Sequence, residues 1–437
     1  MARYRQRRVV YMAGSRRVLF LMGPASLLWR ELGAAFEQAG HSTFKIHFSL
    51  GDQVFWWRRG GTAYRGRRSK FRAFLEAFID RNAITDILYY ADRDFYHIVA
   101  QDVAATRGIT AISIENGYLR PDWITLERGG MGIYSRFPDD PDIIRARGAA
   151  VPEPDLDVRY SHTFFKEITL EIAYSMITYF WRVFYPFYRF GRYYDPLLEY
   201  LAAIPHMLGK KQRQIDAQTA VETLATREEA YFAVALQLQG DQQIRANSPF
   251  THLSEFIDTV VGSFARHADA SNQLVFKQHP HDNGREAWAR VIAESALRHG
   301  VAKRVSFIDG GDLTLFLRKA KGCVLVNSTV GLTALRLGCP TKVMGIAIYD
   351  IPGLTHQKPL DTFWRAPEPV DQALMSDFNR LLAASIQVKG SFVNPEGRKA
   401  AVTEIVRRVV SGAVNEPGAC VEPPPRLKKA QELGIRV

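Results

Sequence analysis

Cysteine is scarce in this sequence, and long apolar runs are missing. The three cysteines in 437 residues, Cys323, Cys339 and Cys420, share no CxxC or paired spacing. This disfavours a disulfide scaffold and a structural zinc site, and it fits a reducing compartment. No run approaches the ~20 apolar residues that a membrane-spanning helix needs, and the apolar stretch after the first arginines is too short for a secretory signal. We therefore expect a cytoplasmic protein whose attachment to a membrane surface stays open.

Two nucleotide-related signatures are missing as well. The sequence contains no GxxxxGK[ST], which disfavours a P-loop kinase or ATPase, and no recognised DNA- or RNA-binding motif. Acidic residues are in the minority, since 57 Lys and Arg against 45 Asp and Glu give a net charge of +12. Such a surface attracts nucleic acid, anionic lipid headgroups or phosphorylated substrates, and charge alone does not choose among them.

The basic residues concentrate in two clusters. The first is Arg3, Arg5, Arg7, Arg8, Arg16 and Arg17, and the second is Arg58, Arg59, Arg65, Arg67, Arg68, Lys70 and Arg72. Runs of like charge usually form a solvated face, so neither cluster by itself indicates a partner.

Short apolar runs alternate with amphipathic stretches, first over 17–114 and again over 231–344. This rhythm is typical of strands and helices that build a parallel, doubly wound sheet. The predicted strands are 17–22, 44–48, 86–90, 110–114, 231–236, 274–277, 304–308, 322–326 and 341–344. The predicted helices are 27–39, 71–81, 95–107, 252–267, 285–298, 313–319 and 330–337. Residues 115–154 are expected to be loop-like.

The sequence predicts an α/β protein of GT-B-like architecture, in which two Rossmann-like halves face a cleft. Residues 1–160 are the N-terminal acceptor and catalytic half, and 161–229 an aromatic-rich helical insert. Residues 230–412 are the C-terminal nucleotide-sugar half, and 413–437 a flexible tail. Because such folds bind ligands at the carboxyl ends of their strands, motifs at those ends are the candidates for a site. The same arrangement also fits some epimerases and binding proteins.

Two motifs of the second half could bind phosphate. Lys277-Gln278-His279-Pro280 follows a strand, and a lysine and a histidine there could bind a phosphate dianion by charge-assisted hydrogen bonds. Asn327-Ser328-Thr329 follows another strand and opens a helix, which offers hydroxyl groups and free N–H donors. A capping turn with an incidental histidine, and simple N-capping, are the alternatives.

Acidic residues stand at the strand ends of the first half. Glu115 could be a base, a nucleophile or a stabiliser of an oxocarbenium-like centre, or it could bond turn amides. Asp52 and Asp92 occupy comparable positions. In the second half, Gln237 and Asp241 follow a strand and could bind a sugar or a nucleotide, or form a polar loop.

These pieces together resemble the capsule polysaccharide biosynthesis/export family of the KpsS (LipB) type. The matching residues are 20–24, 51–52, 115–125, 236–237, 241–245, 279–280, 327–329, 342–345 and 349–355. Their order and spacing run over about 18–364. Two positions depart from the family pattern: Asn116 stands where relatives often carry a second acid, and Ala91 where glycine is expected.

The resemblance implies a retaining β-Kdo transferase that uses CMP-Kdo as donor and a (lyso)phosphatidylglycerol acceptor, at the cytoplasmic face of the inner membrane. It implies neither a metal nor another cofactor. It places His279, Ser328 and Thr329 at the CMP phosphate with Lys277 nearby, and Glu115 at the reacting sugar. Other capsule assembly proteins are possible partners, and nucleic acid is not expected.

The aromatic insert offers a second surface. Arg182, Arg189 and Arg192 alternate with aromatic residues there, which suits an interface with anionic lipid; Arg120 is grouped with them as an acceptor or membrane contact. A helix packed on the first half with its aromatics in the core is equally open. A poly-Kdo extender, another nucleotide-sugar transferase and a non-catalytic assembly subunit remain alternative functions.

Overall fold

Two sheets organise the chain, and each is flanked by helices. The computed structural model describes residues 14–189, 191–226 and 229–436, with backbone alone at 164 and 205–208. Arg3, Arg5, Arg7 and Arg8 of the first basic cluster lie outside the described residues. Five adjacent strands of the first sheet run parallel to one another, and so do all five strands of the second.

The first half contains eleven labelled elements within the described residues. They are β1 (Arg17–Phe20), α1 (Leu28–Gln38), β2 (Ser42–His47), α2 (Leu50–Trp56), β3 (Gly61–Ala63), α3 (Phe71–Asn82), β4 (Asp86–Tyr90), α4 (Phe95–Arg107), β5 (Thr110–Asn116), β6 (Trp123–Arg128) and α5 (Pro141–Gly148). The insert is α6 (Phe164–Phe180), α7 (Pro196–Leu208) and α8 (Lys210–Thr226).

The second half begins at β7 and is followed by helices that return to the first half. Its elements are β7 (Tyr231–Ala235), α9 (Gln242–Ala246), α10 (Leu253–His267), β8 (Gln273–Lys277), α11 (Trp288–Arg298), β9 (Val305–Ile308), α12 (Leu313–Arg318), β10 (Gly322–Leu325), α13 (Val330–Arg336) and β11 (Thr341–Val343). The remainder is α14 (Leu360–Phe363), α15 (Gln372–Ser385), β12 (Gln387–Lys389), α16 (Pro395–Ser411) and α17 (Leu427–Glu432).

The predicted pair of Rossmann-like halves is confirmed by the sheet topology. The first sheet has the order β12-β6-β5-β4-β1-β2-β3 and the second β11-β10-β7-β8-β9. In each sheet the chain order reverses near the middle, which opens a crevice at the carboxyl ends of the strands. The two crevices face a shared cavity, as the GT-B-like prediction requires.

Two predicted boundaries are wrong. Residues 115–154 are not only loop, because β6 pairs antiparallel with β5 there. Residues 230–412 are not one half either: β12 pairs antiparallel with β6, and α16 buries Ala401, Ile405 and Val409 in the core formed by β1 and α1. A sheet edge that exposes N–H and C=O groups is stabilised when another strand covers it, and β12 does this for the first sheet.

The predicted flexible tail is also wrong. Ala419 and Ala430 are fully buried. The Arg426 guanidinium donates hydrogen bonds to the carbonyl oxygens of Phe137 (2.6 Å) and Ile348 (2.6 Å). Because Phe137 belongs to the first half and Ile348 to the second, this segment links the two halves.

The insert lies against the first half through α2 and α6. A Cβ on Gly51 would lie 2.3 Å from Oγ1 of Thr178 and 2.7 Å from the carbonyl oxygen of Tyr174, so only glycine permits this approach. The prediction that the insert packs on the first half is therefore confirmed for one face, while Phe180, Trp181 and Phe184 remain exposed. None of the helices in the described residues is long and apolar enough to cross a bilayer.

Candidate functional site

A cavity of about 250 Å³ lies between the two halves, at the carboxyl ends of β5, β7, β8 and β10. Its first-half wall includes Glu115, Asn116, Tyr118, Arg120 and Thr125, and Glu167 of the insert joins it. The second-half wall includes Gln237, Asp241, Gln243, His279, His281, Asn327, Ser328, Thr329 and Tyr349. The structure therefore brings together half of the residues that the sequence selected, eight of sixteen.

Glu115 stands at the end of β5 with its carboxyl group buried. Its Oε2 atom has no hydrogen-bond partner among the described residues. Burial raises the pKa of this carboxyl to about 8, and the negative charges of Asp241 and Asp92 add to the rise. A buried polar atom without a partner costs free energy, and strongly perturbed groups in clefts are candidates for catalysis.

Asp241 faces this group from the second half. Its Oδ1 accepts a hydrogen bond from the backbone N–H of Gln243 (2.9 Å), which caps α9. Burial raises the pKa of Asp241, and the Arg120 guanidinium opposes that rise. Arg120 also opposes the rise at Glu115, so one exposed cation acts on both carboxyl groups.

Glu127 is a buried acid that the sequence reasoning missed. It lies opposite Ser113 in the β5–β6 ladder, two residues from the pair Glu115 and Thr125, so both glutamates project from one face of the sheet. Ser135 Oγ donates to its Oε2 (2.6 Å), and burial raises the pKa of Glu127 to about 8. The alternation in WITLER over 123–128 could have indicated the strand, but the surrounding Gly and Pro residues favoured a loop.

His279 lines the cavity as a neutral ring. Its Nδ1 accepts a hydrogen bond from the backbone N–H of His281 (3.1 Å), which leaves the ring proton on Nε2. Burial lowers the pKa of His279 to about 3, and the neighbouring positive charges of His281, Arg120 and Lys277 contribute. The His279 ring therefore offers a neutral N–H donor and not the charge-assisted donor that the sequence predicted.

Ser328 and Thr329 offer hydroxyl groups beside His279. Ser328 Oγ accepts from the backbone N–H of Val330 (3.2 Å) within the turn, whereas Thr329, the N-cap residue, makes no capping hydrogen bond with its side chain. The helix that follows has only seven residues, so the hydroxyl groups rather than a helix dipole are the donors here. Tyr349 donates from its hydroxyl to the Ser328 carbonyl oxygen and fixes this turn.

Gln237 and Asn327 line the cavity but are bonded to each other. Gln237 Nε2 donates to Asn327 Oδ1 (2.9 Å), and the backbone N–H of Asn327 donates to Gln237 Oε1 (3.1 Å). Asn327 Nδ2 further donates to the carbonyl oxygen of Gln243 (3.0 Å). These hydrogen bonds join the ends of β7 and β10, and they use amide groups of both side chains that could otherwise bind a ligand.

Three predicted phosphate-binding residues lie outside the cavity lining. Lys277 Nζ donates to the carbonyl oxygens of Gly310 and Gly311, because the loop after β9 lies next to it. Gln278 Nε2 donates to Asp282 Oδ1 (3.2 Å), and Pro280 only shapes the turn.

Asp52 and Asp92 are not in the cavity either. Asp52 is buried against the Lys45 ammonium, 2.7 Å from it. Burial by itself would raise the pKa of Asp52, but the charges and hydrogen bonds of Lys45 and His47 together lower it. Asp92 accepts from the backbone N–H of Met131 (2.9 Å) and pairs with Arg93. Both carboxylates are therefore occupied by the fold, which is a structural role.

The three insert arginines divide into two kinds. Arg182 and Arg189 are exposed. Arg192 is instead paired with Glu171 and Glu199 and lines a second pocket, so it is not a free membrane contact. Arg120, grouped with them from sequence, lies in the central cavity.

The second pocket adjoins the central cavity and shares Asn116 and Glu167 with it. It has a volume of about 380 Å³ and is walled by the first half, by α6 and by residues 392–393. Ala91 lies on this wall with φ of 56°, a left-handed conformation that favours glycine, which explains why glycine is expected at this position. Together, the two pockets form a path from the insert to Glu115.

No group of three or more His, Cys, Asp or Glu in the described part of the chain is placed to hold a metal ion.

Comparison with known proteins identifies a family through a family model and through relatives in sequence. A family described as capsule polysaccharide biosynthesis protein matches residues 85–393. The capsule polysaccharide export protein KpsS of Escherichia coli is 30% identical over 378 residues, covering 86% of this chain and 97% of that protein. The capsule polysaccharide modification protein LipB of Neisseria meningitidis serogroup A is 29% identical over 391 residues, covering 86% and 91%. A solved structure, the β-Kdo 2,7-transferase KpsC of Thermosulfurimonas dismutans, is 12% identical with a TM-score of 0.44, covering 91% and 99%.

Proposed function

Because the chain belongs to the capsule polysaccharide biosynthesis family, we propose that it is a retaining β-Kdo transferase. It moves Kdo from CMP-Kdo to a phosphatidylglycerol-type lipid and so starts the linker of a capsular polysaccharide. The observation that carries the proposal is the buried Oε2 atom of Glu115, which has no hydrogen-bond partner among the described residues and lines one cavity with donor groups of the other half. The choice of CMP-Kdo and of the lipid rests on the resemblance to the KpsS type.

In this proposal the CMP phosphate lies on the second half. The Nε2–H of His279 and the hydroxyl groups of Ser328 and Thr329 donate to its oxygens, and Arg120 balances the negative charge. Phosphate oxygens make strong hydrogen bonds with such donors. The proposal includes no metal ion and no other cofactor.

The reaction breaks the bond between the Kdo anomeric carbon and the phosphate oxygen, and the electron pair leaves with CMP. The acceptor hydroxyl oxygen then bonds to that carbon, and its proton passes to a carboxylate. Glu115 in its ionised form either bonds to the carbon first and is then displaced as a carboxylate by the acceptor oxygen, or shields one face of the oxocarbenium-like centre without bonding to it. Either role gives retention.

The purified protein, incubated with CMP-Kdo and a fluorescent lyso-phosphatidylglycerol, tests the function. One added Kdo supports the proposal. A ladder of products identifies a poly-Kdo extender, and no turnover with intact CMP binding identifies an assembly subunit.

The donor site gives a direct prediction. His279→Ala and Ser328→Ala should each weaken CMP binding by about 1–3 kcal/mol, because each removes a hydrogen-bond donor to a charged group in a partly desolvated site. Calorimetric titration with CMP measures this. Gln278→Ala is the matched control, since the Gln278 side chain bonds Asp282 instead of lining the cavity. Unchanged affinity in both alanine variants would place the donor elsewhere.

We also propose that the insert contacts the inner-membrane surface at its exposed aromatic end. The exposed large apolar side chains there include Trp181 (48%), Val183 (73%) and Phe184 (50%). Arg182 lies among them in the chain, Arg189 follows five residues after Phe184, and both arginines are exposed. Each basic residue near anionic lipid contributes about 1 kcal/mol that salt screens.

A variant combining Arg182→Ser, Arg189→Ser, Trp181→Ser and Phe184→Ser should therefore lose sedimentation with phosphatidylglycerol vesicles. Arg290→Ser is the control, because this exposed arginine (76%) lies on α11 of the second half. Sedimentation equal to that of the parent protein would mean that the insert is purely structural.

A further inference from the structure

A pocket with three arginines adjoins the second pocket described above. It has a volume of about 380 Å³ and is walled by Arg68, Arg93 and Arg245 together with Asp94, Phe95, Ile98, Gly191, Gln242 and Ala246. Arg68 and Arg93 belong to the first half, whereas Arg245 lies on α9 of the second. The pocket therefore depends on both halves being in place.

Each guanidinium group is held in place by an aromatic ring. The Cζ atom lies 5.0 Å from the ring centroid of Phe95 for Arg68, 4.2 Å from that of Tyr134 for Arg93, and 5.2 Å from that of Tyr193 for Arg245. Stacking over a ring fixes the guanidinium plane and leaves its N–H edges available. The three cations are thus partly preorganised for a ligand.

Two of these arginines keep buried donors that the fold does not use. The Nε atoms of Arg68 and Arg93 have no hydrogen-bond partner among the described residues. A buried N–H without an acceptor is costly, so each such group needs an explanation. An anion in the pocket would supply acceptors to both.

The charge balance of the pocket remains positive. Asp92 pairs with Arg93 from outside the pocket lining (3.1 Å). Asp94 lines the pocket, but its Oδ1 caps α4 by accepting from the backbone N–H of Tyr96 (2.9 Å). Arg68 and Arg245 are left as the cations without a carboxylate within salt-bridge distance in the described structure.

The position of the pocket indicates which anion it takes. It shares Asp94, Gly191 and Gln242 with the second pocket, which in turn shares Asn116 and Glu167 with the central cavity. A molecule whose hydroxyl group reaches Glu115 would place a more distant group at the arginines. Guanidinium groups match phosphate oxygens in geometry as well as in charge.

We propose that Arg68, Arg93 and Arg245 bind the phosphodiester of the acceptor and so set which of its hydroxyl groups reaches Glu115. This deepens the proposed function and rests on it for the identity of the acceptor, while the phosphate site itself rests on the pocket. Arg68 and Arg245 are positioning residues, because they contact the acceptor away from the reacting atoms.

Calorimetric titration of the full chain with glycerophosphoglycerol, with inorganic phosphate and with phosphatidylglycerol vesicles tests the site without requiring turnover. Arg68→Gln and Arg245→Gln should each weaken glycerophosphoglycerol binding about tenfold or more, which corresponds to about 1.4 kcal/mol. In transfer assays the same variants should raise the acceptor KM and leave kcat and CMP affinity nearly unchanged. Arg67→Gln is the matched control, since this neighbouring exposed arginine stacks on Phe187 outside the pocket.

Affinity for glycerophosphoglycerol equal to that of the parent in both variants would overturn the site. Binding of inorganic phosphate without glycerophosphoglycerol would assign the pocket to free phosphate and overturn its role with the acceptor. Vesicle binding that needs Arg68 and Arg245, without binding of the soluble headgroup, would make it a contact with the membrane surface and would also overturn the proposal. If headgroup binding is lost as expected but no Kdo is transferred by the parent, the site stands and the proposed transferase function fails.

Discussion

Replacing Glu115 by glutamine is expected to abolish Kdo transfer and to leave folding and CMP binding intact. The substitution keeps the size of the side chain and removes its capacity to ionise. When CMP leaves, positive charge develops on a carbon already destabilised by the Kdo carboxylate, and a charged carboxylate stabilises such a centre far better than an amide. Turnover with CMP-Kdo measures the loss of transfer, and calorimetric titration with CMP measures whether donor binding is kept.

The pH profile gives an independent check on the same residue. Burial raises the pKa of Glu115 to about 8, so the carboxyl is mostly protonated at pH 7 and ionises as the pH rises through 8. Because the proposed role needs the carboxylate, kcat/KM should rise with pH along a limb of apparent pKa near 8. Glu127, whose pKa burial also raises to about 8, could produce the same limb, so Glu127→Gln is the control and should retain it.

A Glu115→Gln variant that turns over within a few-fold of the parent, a barrier change of less than about 1.4 kcal/mol, would make Glu115 structural. Asp241 would then be the next acid to test, because it lines the same cavity. Asp92 and Asp52, the alternatives from sequence, are occupied by Arg93 and Lys45.

Local pattern was enough to predict much of the fold. The bounds of β4 and α4 match the prediction residue for residue, because a buried strand and a helix that begins after Asp94 and ends at Gly108 are encoded by neighbouring residues. The convergence of Gln237, His279 and Ser328 also followed, since the parallel strands of the second sheet bring their carboxyl ends to one edge. Glu115 joins them because the two sheets face one cavity.

Contacts between distant segments could not be predicted in the same way. The strand β12 joins the first sheet beside β6, which lies more than 250 residues earlier in the chain. The prediction that Lys277 binds phosphate rests on its residue type alone. Its ammonium group instead donates to carbonyl oxygens of the loop after β9, and no pattern in the residues around Lys277 indicates that contact. The Pro-rich composition of 413–437 predicts a flexible tail, whereas Arg426 in this segment donates hydrogen bonds to the carbonyl oxygens of Phe137 and Ile348.

The interaction of Arg426 with both halves leads to the second large expected effect. Its guanidinium is buried and donates to the carbonyl oxygens of Phe137, Pro138 and Ile348 at 2.6, 3.3 and 2.6 Å. Arg426→Met keeps much of the apolar stem and removes every donor, which leaves buried carbonyl groups unsatisfied. Since each such loss costs about 1–3 kcal/mol, we expect the free energy of unfolding to fall on the order of 3 kcal/mol.

Urea or thermal unfolding of the full chain measures this change, and Lys428→Met is the matched control. Lys428 lies two residues away on α17, but its side chain is 87% exposed and reaches only Glu432, so its loss should change stability little. Because residues 346–348 line the central cavity, Arg426→Met should also weaken CMP binding at temperatures where the variant is still folded. A variant as stable as the parent, with the same CMP affinity, would show that 413–437 packs against the halves without joining them.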